Sequence, residues 1–351
     1  MTTRQTQTAT VGNIKLGGGN PVRIQTMWDD PLPPNGDAGA TDALLHRLRL
    51  LQSMGCDIIR FSYPDDLHRE TFARICAESP MPVVADIHFD YKLALAAMEA
   101  GAHKIRINPG NIGARWKVEE VVRAAREHNV AIRIGLNSGS LPKGTGKDSS
   151  TLMVDTAMDY VSWLHDLDFH NIVVSLKASD PALTHAVNVS FASKSDVPLH
   201  LGVTEAGGVV SAVTRSTWAL GRLLSDGIGD TIRISITGSL ETEVQAGVEL
   251  LRTLGLRASG INVISCPRCG RHSFDTQRLL AELEPKLLQI QKPLTVAIMG
   301  CQVNGPGEAA HADVAVTGIG KKAFLYVRGK LVREVTADDA GQALLDVVEE
   351  F

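Results

Sequence analysis

Eight short apolar runs constrain this chain more than any other feature: Val22 to Met27, Asp57 to Ser62, Pro82 to His88, Lys104 to Asn108, Ala131 to Asn137, Ile172 to Lys177, Leu199 to Glu205 and Thr231 to Ser235. They recur roughly every 25 to 35 residues, separated by amphipathic helical stretches, which is the alternation of a parallel βα fold. Eight such units predict an α/β chain built on a TIM (β/α)8 barrel. The 351 residues are more than one barrel needs, and the pattern changes near Ser259. Residues 1–258 are therefore expected to form the barrel and 259–351 a smaller α/β domain. In that second part, strands over Ile261 to Ser265 and Leu294 to Met299 flank a helix over Phe274 to Gln291.

Four of the barrel runs share a local pattern, Ile-Ile-Arg-Phe-Ser, Lys-Ile-Arg-Ile-Asn, Ala-Ile-Arg-Ile-Gly and Thr-Ile-Arg-Ile-Ser, which sets Arg60, Arg106, Arg133 and Arg233 between apolar neighbours. Side chains alternate along a strand, so if the flanking Ile and Phe meet the helices, each arginine faces the barrel interior, with Ser62, Asn108 and Ser235 two residues on. Buried guanidiniums require partners. Inward acids such as Asp86 and Glu205 would give a salt-bridged core. Yet four arginines and Lys177 outnumber those two carboxylates, and the excess charge calls for an anion from outside. Asp86, His88, Asn137, Lys177, Thr204 and Glu205 fall at the C-terminal ends of strands, the rim where barrels of this kind build their sites. Arginine forks match phosphate oxygens bidentately, so a small diphosphate suits the set, with Asp86, Asn108, Asn137, Thr204 and Ser235 completing a polar lining. Glu205 is then free to donate or accept a proton, with His88 as its alternative. Glycine-rich loops at 108–113, 137–146 and 205–208 read either as backbone cradles for phosphate or as plain βα turns.

The formal net charge of −4, with Lys and Arg dispersed, leaves no broad basic footprint for nucleic acid. A polar N-terminal stretch and the lack of any run near 18 apolar residues predict a cytoplasmic protein without a membrane span. In a reducing compartment, five cysteines read as metal ligands, catalytic thiols or packing residues. Cys56 and Cys76 lie in apolar patterns and are expected to pack. Cys266 and Cys269 in Ser-Cys-Pro-Arg-Cys-Gly-Arg, and Cys301 in Met-Gly-Cys-Gln-Val-Asn-Gly-Pro-Gly-Glu, are one ligand short of a closed cluster or zinc cage. Glu308, beyond the Gly-Pro-Gly turn, offers a harder fourth ligand that a substrate can displace. Zinc held with His272 or His311, and a thioredoxin-like Cys-x-x-Cys pair opening a helix, are the competing readings.

Seven segments carry a resemblance: Val84-Ala-Asp-Ile-His-Phe-Asp90, Lys104-Ile-Arg-Ile-Asn-Pro-Gly-Asn-Ile-Gly113, Ser175-Leu-Lys-Ala-Ser-Asp180, Leu199-His-Leu-Gly-Val-Thr-Glu-Ala-Gly207, Asp226-Gly-Ile-Gly-Asp-Thr-Ile-Arg-Ile-Ser235, Cys266-Pro-Arg-Cys-Gly-Arg271 and Cys301-Gln-Val-Asn-Gly-Pro-Gly-Glu308. In this order, and almost end to end, the chain resembles the 4-hydroxy-3-methylbut-2-enyl diphosphate synthase family in its bacterial two-domain form. The resemblance implies a barrel that binds 2-C-methyl-D-erythritol 2,4-cyclodiphosphate and a C-terminal domain with a 4Fe-4S cluster on Cys266, Cys269, Cys301 and Glu308. It implies a two-electron reductive ring opening and dehydration in the methylerythritol phosphate route to isoprenoids, with electrons from ferredoxin or flavodoxin. It also implies a homodimer in which one subunit's cluster domain caps the other's barrel. On that reading Arg60, Arg106, Arg133, Lys177 and Arg233 hold the diphosphate, and Glu205 protonates the departing hydroxyl.

The chain departs from the family pattern at Thr26-Met27-Trp28-Asp29 and the following Pro31 to Pro34, where the rim is expected to be reshaped, and at Arg268 and Gln302 beside the ligands, where the cluster potential is expected to be tuned. Arg268, Arg271, Lys321, Lys322, Arg328, Lys330 and Arg333 predict a basic docking rim for an acidic electron carrier, or else a solvated surface of mixed charge. A zinc-dependent barrel enzyme acting on a phosphorylated sugar and a non-catalytic iron-sulfur electron-transfer protein are the alternatives from other classes.

Overall fold

The computed structural model describes residues 4–63, 65–140, 148–267, 269–301, 303 and 305–351, with only the backbone described at 109, 110, 140 and 306. Most of the glycine-rich loop expected at 137–146, from residue 141 on, lies outside the described residues, as do Arg268 and Gln302. Two compact units divide the chain, Met1–Arg257 and Ala258–Phe351.

The first unit opens with a hairpin of β1 (Thr8–Val11) and β2 (Ile14–Gly17), in which Val11 pairs with Ile14 across a turn at Gly12. Eight parallel strands follow: β3 (Arg23–Met27), β4 (Ile58–Ser62), β5 (Val83–Ile87), β6 (Lys104–Ile107), β7 (Ala131–Asn137), β8 (Ile172–Lys177), β9 (His200–Leu201) and β10 (Thr231–Ile232). Their order, β8-β7-β6-β5-β4-β3-β10-β9, is closed by a parallel bridge between Val174 and Leu199, so the sheet is the expected barrel. The last two strands are shorter than their apolar runs. Past Gly202 the backbone leaves the ladder with β10 and turns toward the end of β8, where Thr204 N donates to Ala178 O at 3.0 Å. Five of the helices between strands start at a side-chain cap: Asp37, Asp90, Asp148, Asp180 and Ser239 each accept a hydrogen bond from a backbone N–H in the first turn.

Inward positions of the strands change character along the barrel axis. Ile58, Val84, Ala131 and Val173 form one buried cluster with Ala9, Val11 and Leu16 of the hairpin, so the hairpin seals the end where the strands begin. Two residues further along the same faces come Arg60, Asp86, Arg133 and Ser175. An apolar floor under a charged mouth is therefore written in strand periodicity. The sealing hairpin was not expected from a stretch read only as polar.

The second unit is a five-stranded sheet ordered β11 (Asn262–Ser265), β12 (Thr295–Met299), β13 (Val314–Ile319), β14 (Lys322–Val327) and β15 (Lys330–Thr336), parallel through β13 and antiparallel beyond it. Alternation splits β12 between two cores. Val296 and Ile298 pack with Leu279, Leu283, Leu344 and Val348 of the helices Thr276–Leu287 and Ala340–Glu350. Ala297 and Met299 face Ala309 and Ala312 around the short helix Gly305–His311, with Cys266 packed against them. The helix expected over Phe274 to Gln291 begins only at Thr276, capped by Asp275. Cys266 and Cys269 thus precede this helix by a turn rather than opening it, which removes the geometry on which the thioredoxin-like reading depends. Among the described residues no helix is long and apolar enough to cross a membrane.

Candidate active site and metal centre

A cavity of about 350 Å³ occupies the C-terminal mouth of the barrel, within the range of small-ligand sites. Met27, Arg60, Asp86, His88, Arg106, Arg133, Asn137, Ser175, Lys177, Thr204, Glu205, Arg233 and Ser235 line it. All the residues expected around a substrate are in that lining except Asn108, which is buried directly after β6 but is not among the described lining residues. Ser62 is exposed at the end of β4 and does not share the interior with Arg60, contrary to expectation. Ser175, unassigned from sequence, does line the site.

Strand register explains the contacts. Asp86 on β5 lies opposite Arg106 on β6, and Arg106 lies opposite Arg133 on β7. Asp86 therefore reaches Arg106 at 3.2 Å, and also Arg60 at 3.9 Å and His88 at 3.6 Å. Burial pushes the Asp86 carboxyl up, but Arg60, Arg106, Arg133 and His88 outweigh it and hold its pKa below the usual carboxylate value. Burial lowers Arg60 to about 10, with Asp86 pulling it back up and Arg233 and Arg106 pressing it down. Arg106 seats its guanidinium against Gly135, where an added Cβ would lie 2.5 Å from Nε.

Arg233 has a partner that sequence reasoning missed. Glu243, in the first turn of the helix Leu240–Thr253, accepts from Arg233 Nη2 at 3.0 Å and Nε at 3.1 Å, from Thr26 Oγ1 at 2.5 Å and from Ile236 N at 3.0 Å. It is buried at 3% exposure on a stripe otherwise made of Leu240, Val244, Gly247, Val248 and Leu251. An acid on an apolar helical stripe was the available signal. The salt-bridged core weighed from sequence is therefore half present: Asp86 and Glu243 pair three arginines, while no ion pair to Glu205 is found among the described residues.

Arg133 remains. It is 1% exposed, has no ion-pair partner among the described residues, and its buried Nε and Nη1 lack hydrogen-bond partners. Burial first, then Arg60 and Arg106, push its pKa well down. An unpaired buried guanidinium costs roughly several kcal/mol, which an anion in the cavity would offset.

Glu205 stands on the rim in an exposed turn with φ of +52°, a left-handed backbone that a glutamate adopts only under constraint. That strain holds a carboxylate over the cavity with no ion pair to Arg or Lys among the described residues. His88 is half exposed and shares Asp86 Oδ2 with Arg60. Trp28, one of the departures, stacks 5.7 Å from Phe61 and under the Arg47 guanidinium at 5.2 Å, so it braces the rim beside β3 rather than lining the cavity.

The five cysteines of the chain are free thiols, with Cys56 and Cys76 buried in the barrel unit as expected and Cys266, Cys269 and Cys301 in the smaller one. Burial pushes the Cys56 thiol up to about 12 and the Cys76 thiol higher still, so both are inert at neutral pH. Parallel pairing of β11 with β12 brings the cysteine turns to one end of the sheet. Cys266 N donates to Ile298 O at 3.1 Å, and Ser273 N to Gly300 O at 3.1 Å, stitching the Cys266–Cys269 turn to the approach of Cys301. Glu308 is exposed in the helix Gly305–His311 that follows. Three soft thiols and one carboxylate at one sheet end suit an iron-sulfur ligand set, although among the described residues no three His, Cys, Asp or Glu side chains converge as a preformed cage. The His272 ring faces the Cys269 carbonyl, Nδ1 at 2.7 Å.

The basic rim expected on this unit is partly neutralised. Lys322 pairs with Glu334, and Arg333 lies 3.8 Å from Asp346.

Comparisons with known proteins agree with both units. The family model described as GcpE TIM-barrel domain matches residues 6–248, and the GcpE protein C-terminal domain matches 262–350. The 4-hydroxy-3-methylbut-2-en-1-yl diphosphate synthase (flavodoxin) of Symbiobacterium thermophilum is 45% identical, over 99% of this chain and 93% of its own. That of Geobacter sulfurreducens is 46% identical, over 99% of this chain and 98% of its own. Among solved structures, Yersinia pestis dihydropteroate synthase with a pterine-sulfa conjugate aligns at a TM-score of 0.51 and 11% identity, over 71% of this chain and 98% of that one. Such low identity speaks for the barrel fold alone.

Proposed function

This chain belongs to the GcpE family, and from that premise we propose that it converts 2-C-methyl-D-erythritol 2,4-cyclodiphosphate to 4-hydroxy-3-methylbut-2-enyl diphosphate by reductive ring opening and dehydration, in the methylerythritol phosphate route to isoprenoids. The observation that carries the reading is Arg133, buried with two unpartnered nitrogens in a mouth lined by four arginines, Lys177 and two carboxylates. A cyclic diphosphate supplies the missing negative charge. Arg133 and Lys177 take it with Arg60, Arg106 and Arg233, whose own acids keep them aligned but do not satisfy every donor. Asn137, Thr204 and Ser235 supply neutral hydrogen bonds, Asp86 orients the arginines, and Asn108 supports the end of β6.

Glu205 donates the proton with which the hydroxyl leaves as water, its strained turn placing the carboxyl at the rim. His88 is the other acid within the same lining. Cys266, Cys269, Cys301 and Glu308 would hold a 4Fe-4S cluster, which when bound supplies the two electrons one at a time. Flavodoxin, named for the relatives, is the expected electron donor, with ferredoxin as the substitute. A homodimer whose active site is shared between subunits, in the cytoplasm, completes the reading.

Iron, acid-labile sulfide and zinc should be counted per chain in protein purified without oxygen, and the same sample tested for conversion of the cyclic diphosphate with reduced flavodoxin. About four iron and four sulfide per chain, with turnover, is the expected result. Zinc without sulfide that persists after anaerobic reconstitution would overturn the reductive mechanism.

A further inference from the structure

Lys177 sits where its charge is poorly matched. It is 7% exposed, and among the described residues its Nζ has one hydrogen-bond partner, His200 Nε2 at 3.0 Å. His200 is fully buried, and its Nδ1 lies 2.8 Å from Thr231 Oγ1. An ammonium only donates, so with Lys177 charged the His200 Nε2 accepts, its proton lies on Nδ1 toward Thr231, and the imidazole is neutral. A neutral ring offers Lys177 no counter-charge.

The neighbouring elements do not offer one either. Arg60 from β4, Arg106 from β6, Arg133 from β7 and Arg233 after β10 all lower the affinity of Lys177 for its proton, and Lys104 adds its field at His200. Of the acids, Asp86 on β5, beside His88, is engaged by Arg60 and Arg106, and Glu243 by Arg233. Glu205 reaches the cavity only from an exposed turn. Lys177 Nζ is also packed against the backbone of Gly202, where an added Cβ would lie 2.7 Å from it. Burial first, and then the four arginines, push the Lys177 amine well below the ordinary lysine value; burial and Lys177 do the same to His200.

We propose that Lys177 and His200 form a proton-coupled anion latch: as a diphosphate enters the mouth, one proton passes from solvent to Lys177 Nζ, and it leaves again with the anion. This rests on the diphosphate reading of the mouth. Before binding, Lys177 is a neutral amine hydrogen-bonded to His200; after binding, it is an ammonium facing phosphate oxygens. The bound-state pKa is thereby higher than the free-state one. Affinity is unaffected by pH below the free-state value and falls by about tenfold per pH unit as pH rises between the two.

The cyclic diphosphate is a clean probe, because each phosphorus carries a single acidic oxygen that is ionised throughout this range, so any proton taken up belongs to the protein. The full-length protein, without reductant, is titrated calorimetrically with it in buffers of different ionisation enthalpy, from about pH 8 to about pH 9.5, above the histidine range. The expected result is that the wild type takes up close to one proton more than Lys177→Arg or Lys177→Gln, the variants reporting what the neighbouring buried cations Arg60, Arg133 and Lys104 take up on their own. Binding without buffer-dependent heat at any of these pH values, or uptake as large in either variant as in the wild type, overturns the latch and leaves the diphosphate reading standing. Should neither variant bind, the wild-type profile decides, and an affinity flat with pH overturns the proposal. No binding to the wild type removes the latch and the diphosphate reading together.

Discussion

Glu243 and Arg133 show how single side chains divide the labour of a cationic mouth. Glu243 cancels Arg233 through two hydrogen bonds, at 3.0 and 3.1 Å, while Arg133 feels Asp86 only at a distance and has no ion-pair partner among the described residues. Replacing Glu243 by Gln keeps the shape and removes the charge. The variant is expected to lose about 3 kcal/mol of stability, the lower end of the cost of breaking a buried pair, and to bind the cyclic diphosphate at least as tightly as the wild type, since the mouth gains one net positive charge. Denaturant titration and calorimetry read the two effects separately. Weaker binding would mean that Arg233 needs Glu243 to aim it, not merely to neutralise it. The four arginines were legible in the sequence because each stands between two apolar residues on a strand, where period two leaves only the interior. Glu243 was hidden because it comes from a helix, Lys104 because it opens its run, and His200 because, although it stands between Leu199 and Leu201, it lacks the repeated Ile-Arg motif that marks the arginines.

Elements, unlike residues, are placed by what they must cover. The barrel's inward faces start with Ile58, Val84, Ala131 and Val173, and an open barrel would present that floor to water. The β1–β2 hairpin closes it with Ala9, Val11 and Leu16, all fully buried. Leu16→Ala is expected to cost about 2–5 kcal/mol, the range for a large-to-small change in a packed core, without altering KM for the cyclic diphosphate, because the mouth lies at the other end of the strands. Equilibrium unfolding together with steady-state kinetics checks both parts, and a raised KM would show that the floor transmits strain to the charged layer above it. The eight barrel strands were readable as apolar runs at helix-spaced intervals. The hairpin was not, because its strands are four residues long and only alternate positions, Ala9 and Val11, are buried. In the second unit the strands leading to both cysteine turns were readable too. What sequence spacing lacks is the β11–β12 register that stitches those segments together, and the start of the helix at Thr276, beyond both Cys266 and Cys269.

At the scale of the molecule, the proposed sites of substrate binding and of electron supply fall in different units. Every described side chain lining the cavity falls between Met27 and Ser235, within the unit Met1–Arg257, while Cys266, Cys269, Cys301 and Glu308 all fall within Ala258–Phe351. Each unit has its own core, and the smaller one buries Leu283, Leu287, Val296, Ile298 and Leu344 in a cluster distinct from the one against which Cys266 packs. Protein stripped of iron is therefore expected to stay folded and to bind the cyclic diphosphate within about threefold of the intact protein's affinity, a difference of less than about 1 kcal/mol, while losing all reductive turnover. Calorimetric titration of the stripped and reconstituted forms checks this. If affinity fell by about a hundredfold or more on iron removal, roughly 2.7 kcal/mol, the ligand set of the smaller unit would be a direct contributor to substrate binding, and the arginine mouth alone would not be the binding site.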